Sequence, residues 1–174
     1  MITEYNVASA VIGIIQTGLT QLNMTNWSII QGAQSVVHPL TRPNFVLTFI
    51  SNNRYGWQHS KDTYVNGKFI HKEFIYQTIN FQLTAFKLDR NNQESAMDAS
   101  VKLAMFLNSE AAINSLQAQG LGISRIGEIR GGIWINDSDR YEQSPSFDFD
   151  ISLRQELASY VEPASSIEGI IKGV

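Results

Sequence analysis

From Ile75 to Ala85 the chain alternates with a period of two. Ile75, Ile79, Phe81, Leu83 and Ala85 share one parity, and Tyr76, Thr78, Asn80, Gln82 and Thr84 share the other. Successive side chains of a strand point to opposite faces, so the pattern specifies a strand with one dry face and one wet face. Such strands belong in an antiparallel sheet that is covered on one side only. Phe69 to Leu88 is accordingly the longest expected strand. Ser146 to Leu157 repeats the pattern, with Phe147, Phe149, Ile151 and Leu153 set against Asp148, Asp150, Ser152 and Arg154.

The period changes elsewhere. Tyr5, Ala8, Ile12, Ile15, Leu19 and Leu22 recur at three- and four-residue steps, which predicts a helix with these residues on its core face, stopped by Asn23 to Asn26. Trp27 to Pro43 is expected to be irregular. Asn44 to Ser51 is a strand candidate, and its apolar residues Phe45 to Leu47, Phe49 and Ile50 predict burial on both faces. The polar stretch Asn52 to Lys68 holds Tyr55, Trp57, Tyr64 and the turn signal Asn66-Gly67, and predicts a protruding loop or β-hairpin. Asn91 and Glu94 have the spacing of a capping box. The helix behind them carries Ala96, Ala99, Leu103, Phe106 and Leu107 on one side, and a shorter helix from Glu110 to Gln119 ends at Gly120. Leu121 to Asn136 is expected to be a strand broken at Gly131-Gly132, followed by a polar loop from Asp137 to Pro145.

Helix, strands, helices, strands is the order of an α+β fold. The expectation is a single domain, 1–162, in which an antiparallel β-sheet is covered by an N-terminal helix and a central helix. A C-terminal tail, 163–174, would follow, with Ile167, Ile170 and Ile171 available as an inter-subunit arm.

Chemistry is hard to find. No cysteine is present, which removes disulfides, thiolate metal sites and cysteine nucleophiles. His38, His59 and His71 lack partners at ligand spacing, so no metal site and no cofactor are expected. Gly122-Ile-Ser124-Arg-Ile-Gly127 misses the spacing of a nucleophile elbow. Gly120-Leu-Gly122 follows a helix and precedes a strand, the reverse of a dinucleotide-binding order. The acidic stretch Asp137-Ser-Asp139-Arg-Tyr-Glu142 places Glu142 where a calcium loop needs glycine, and is expected to be a solvated turn. Asp148 and Asp150 lie on the wet parity of their strand. No enzyme is expected.

A formal charge of −3 and 13 dispersed basic residues argue against tight grip on DNA phosphates. The first basic side chain is Arg42, and Gln16, Thr17, Thr20 and Gln21 interrupt the apolar N-terminal run, so neither a signal peptide nor a membrane helix is expected.

Gln31-Gly-Ala-Gln34, then Pro39, Pro43 and Phe45-Val-Leu-Thr-Phe, resemble the opening of the bacteriophage neck or tail terminator-like proteins of head–tail joining modules. The resemblance continues through the strand Gln77 to Phe86 and the helix from Gln93 to Leu107. It ends with Arg140 and Tyr141 leading into Phe147 to Arg154, so it spans roughly Trp27 to Leu157. It implies a virion protein, assembled in the host cytoplasm, that caps the tail tube and forms the surface on which a filled head docks. It also implies a homo-oligomeric ring, commonly hexameric, around the DNA path. The partners would be the tail tube protein, head-connector proteins and, in a contractile tail, the sheath. Tyr55, Trp57, Tyr64, Ile167, Ile170 and Ile171 are the candidate contacts with neighbours, since aromatic anchors suit interfaces. Two other expectations stand beside this one: a head-completion or baseplate component, and a small hydrolase or ligand-binding domain built on Asp137 to Glu142.

Overall fold

The computed structural model describes residues 3–32, 43–65, 68–87, 94–135 and 141–161. Their elements run α1 (Glu4–Gln21), β1 (Ser28–Gln31), β2 (Asn44–Val65), β3 (Lys68–Phe86), α2 (Ala96–Leu107), α3 (Glu110–Gln117), β4 (Leu121–Ile123), β5 (Ile133–Ile135), β6 (Tyr141–Gln143) and β7 (Ser146–Val161). The architecture is the expected α+β. A five-stranded sheet has the order β1-β2-β3-β7-β4, and β5 pairs with β6 beside it. Every pairing is antiparallel except that of β1 with β2.

The alternation dictates the core. Ile79, Phe81, Leu83 and Ala85 of β3, Phe147, Phe149, Ile151 and Leu153 of β7, and Phe45 and Leu47 of β2 are all buried on one face. Phe81 stacks on Phe149 with ring centroids 5.9 Å apart, and Trp27 leans on Phe45 at 4.7 Å. Burying each such side chain stabilises the fold by about 1.5–3 kcal/mol. The opposite face of β3 and β7 stays wet: Asn80 donates to Asp150, Gln82 donates to Asp148, and Arg130 reaches Asp148 at 2.6 Å.

Helices α1, α2 and α3 cover the dry face. Thr3 caps α1 by accepting from the Asn6 amide, and the positive φ of Asn23 follows its end. The buried stripe is Val7, Ala8, Val11, Ile14, Ile15, Gly18 and Leu19, rotated from the expected one. Tyr5 is exposed, while Ile12 and Leu22 are only partly buried. Gly18 explains the rotation. A Cβ there would lie 2.5 Å from the Phe106 ring of α2, so glycine allows that aromatic ring to sit on the α1 backbone. The capping box of α2 also differs from the expected pair. Ser95 and Asp98 form it reciprocally, with Asp98 accepting from the Ser95 amide.

Other expectations change. Phe49 and Ile50 are exposed: Phe49 lies edge-on to Phe81 on the dry face, at the end of the buried run Phe45 and Leu47, and Ile50 sits where β2 bulges. Trp27 to Pro43 contains β1, whose short parallel register with Asn44–Leu47 carries no alternation to announce it. The expected strand from Leu121 breaks after Ile123, and its far part becomes β5 of the small second sheet. Within the polar loop, Tyr141–Gln143 is β6. Asn91, the Asn66-Gly67 turn, Asp137, Asp139 and residues 163–174 lie outside the described residues.

Candidate assembly interface

Strands β2, β3 and β7 run on far beyond the helices. β3 alone spans about 60 Å at about 3.3 Å per residue. Val65 pairs with Lys68 and Phe69 with Val161, so a three-stranded arm projects from the covered body. β4 ends opposite Leu153 and β1 opposite Leu47, so among the described residues both outer edges of the arm lack a neighbouring strand. The polar stretch from Asn52 is thus part of a β-hairpin rather than a loop.

Registered partners share a face, which sorts the arm's side chains. The open face continues the wet side of the body. In the arm it carries Lys61, Lys68, Lys72 and Arg154 against one carboxylate among the described residues, Glu156. Phe74 lies at its centre, stacked with His59 at 6.2 Å and covered by the Arg154 guanidinium at 4.9 Å. Lys72 bonds Glu156 at 2.6 Å, a pair that lowers the Glu156 pKa. Lys68 sits 5.8 Å from the Tyr160 ring. His59, Lys61, Lys72, Phe74, Arg154 and Glu156 line a groove of about 630 Å³ together with Tyr76 and Ile70.

The helix-side face carries the opposite sign. Distal to the bulge, Asp62 and Glu73 flank His71, whose Nδ1 lies 2.5 Å from Asp62 and whose Nε2 lies 3.4 Å from Glu73. Both carboxylates stabilise the imidazolium, with the Asp62 hydrogen bond first, so the His71 pKa is raised. Arg54 stands only at the root of this face, opposite Gln77.

The aromatic residues expected to meet neighbours are all exposed. Tyr55, Trp57 and Tyr64 expose 55%, 97% and 67% of their surface. They are not brought together. Tyr55 pairs with Tyr76 on the open face, and Tyr64 with Phe69 on the helix-side face. Trp57 sits in a bulge where β2 advances from Tyr55 to His59 while β3 advances only from Tyr76 to Phe74, and Gly56 takes the positive φ that this needs. Ile167, Ile170 and Ile171 lie outside the described residues. Sequence reasoning missed the charged faces. Their signal was present in Lys61-Asp62 and Lys72-Glu73, neighbours of opposite sign that a strand sends to opposite sides.

Among the described residues, no group of three or more histidines or carboxylates could hold a metal ion, and no helix is long and apolar enough to cross a membrane. The surface offers strands, charge and aromatic rings, the materials of contact with other protein.

A half-covered sheet with a projecting arm is the fold of a tail terminator-like structural protein of bacteriophage. Its structure is similar to the sheath/tube terminator of the extracellular contractile injection system PVC in the extended state, with a TM-score of 0.53 and 10% identity over 99% of this chain. The chain spans 63% of that protein's length. A comparison with curated protein sequences finds no match. The family model described as E217 gateway protein gp29 matches residues 6–162, and the chain belongs to that family.

Proposed function

We propose that this protein closes the end of a phage tail tube as a ring of identical subunits, with DNA passing through its centre and the head connector docking on its outer side. The observation that carries the reading is the family match over 6–162, on a fold shared with a sheath/tube terminator. The projecting arm supports it. A subunit that must grip neighbours in a closed ring needs elements that reach past its own core. The tail tube protein is the first partner, with the sheath added if the tail contracts, and the virion neck is the location. Tyr55, Trp57 and Tyr64 serve as contacts with neighbours. Residues 1–162 form the domain, and the segment 163–174, with Ile167, Ile170 and Ile171, serves as a further contact. A chain of formal charge −3 suits a conduit, since weak repulsion keeps passing phosphates from sticking.

Electron microscopy of particles assembled without this protein tests the proposal. Tails of uncontrolled length, or filled heads that fail to join tails, are the expected result. Normal tails joined to heads would refute it.

A further inference from the structure

A ring of identical subunits is built from a head-to-tail interface, in which one surface meets a different surface of the next copy. Both surfaces must therefore exist on one chain and be complementary. The arm supplies such a pair on its two sides. Its open face presents Lys61, Lys68, Lys72 and Arg154 around Phe74, with Glu156 as the only carboxylate there among the described residues. Its helix-side face presents Asp62 and Glu73 with His71 between them, two carboxylates to one imidazole, beside exposed Leu157 and Phe69. Neither face is covered by the helices, and charge and apolar area are mixed on both.

We propose that the arms of neighbouring copies stack front to back, the cationic open face of one against the anionic helix-side face of the next. The occupant of each face is a second copy of this chain, and the inference rests on the ring proposed above. The alternative symmetric contact, open face on open face, would set lysines against lysines at the roughly 10 Å spacing of packed sheets. That repulsion selects the head-to-tail arrangement, and repetition of one rotation closes the ring. The aromatic groove around Phe74 receives apolar side chains of the adjoining arm, while the charges fix orientation.

Two full-length variants test it by mass photometry at 0.15 M salt. Lys61→Glu with Lys68→Glu makes both faces anionic, and neither lysine has a carboxylate partner of its own among the described residues. Asp62→Lys with Glu73→Lys makes both faces cationic. Each variant alone is expected to need about tenfold more protein for half-assembly, the size that two weak ion pairs replaced by repulsion would give. A chain carrying all four substitutions, faces exchanged, is expected to assemble like the parent, and so is a mixture of the two variants. Circular dichroism and melting temperature report whether each variant folds, so a misfolded arm is distinguishable from a repelled one.

Folded variants that assemble as well as the parent would overturn the stacking and leave the ring standing. So would a folded four-substituted chain that fails to assemble. Variants that form normal rings but no longer cap tail tubes would overturn it in favour of an anionic surface on the tube protein. A parent chain that forms no oligomer, alone or on purified tubes, would overturn both the ring and the stacking.

Discussion

His71 is held between Asp62 and Glu73, and two carboxylates on one imidazole have a measurable consequence. The folded pKa is raised above 6.5, so the stabilisation linked to this proton is complete below that value and disappears as the pH climbs through the raised one. An NMR titration should find the His71 ring above the ordinary imidazole range, and Asp62→Asn should bring it down. A His71 that titrates normally would contradict the geometry. Trp57 makes the complementary point. Because it is 97% exposed, Trp57→Ala should change unfolding free energy by no more than about 0.5 kcal/mol. The same substitution should reduce the yield of joined particles, since an aromatic side chain of this size left in solvent is available for a neighbour.

Among the elements, the packing of α1 on α2 is decided at Gly18. Alanine at an exposed helix position would stabilise by up to about 1 kcal/mol. At Gly18 the added methyl would meet Phe106, itself buried, and Gly18→Ala should instead destabilise by about 1–3 kcal/mol in chemical denaturation. This residue also shows where sequence reading stops. Alternation in β3 and β7 was legible because helices cover one face of those strands and water the other, so each residue's polarity reports its side. In α1, two apolar stripes fit the helical period almost equally, and the choice between them depended on a ring from α2, that of Phe106, far along the sequence from Gly18. The α2 cap was displaced to Ser95 and Asp98 for a similar reason: several short polar residues precede the helix, and packing of Ala96 and Ala99 against the core fixes which of them caps it. In the arm, neither face is dry. Polarity then carries no information about side, and only charge sign revealed that the faces differ.

For the molecule as a whole, body and arm respond to different conditions. The body is held by apolar burial, which salt at moderate concentration does little to weaken. The arm faces act through exposed charge, and the screening length falls from about 8 Å at 0.15 M to about 3 Å at 1 M. Raising sodium chloride to 1 M should therefore disperse assemblies while leaving the melting temperature of the subunit nearly unchanged, a contrast that sedimentation velocity and calorimetry can read on one sample.

The order of strands across the arm has a temporal consequence. β2 and β3 are separated by two residues in sequence, with Val65 paired to Lys68, and can zip together as soon as both exist. β7 must find β3 across a much longer stretch of chain that includes α2, α3 and three short strands, pairing Phe69 with Val161, and it emerges from the ribosome after every other described element. Arg154, Glu156 and Tyr160 are all on it. A nascent chain thus carries only two-thirds of its adhesive blade, and that blade is finished after the helices already have a sheet to cover. In pulse-labelled hydrogen exchange during refolding, amides of β2 and β3 should become protected before those of β7 beyond Leu153. Translation itself would then act as the clock that keeps half-made subunits from clasping one another.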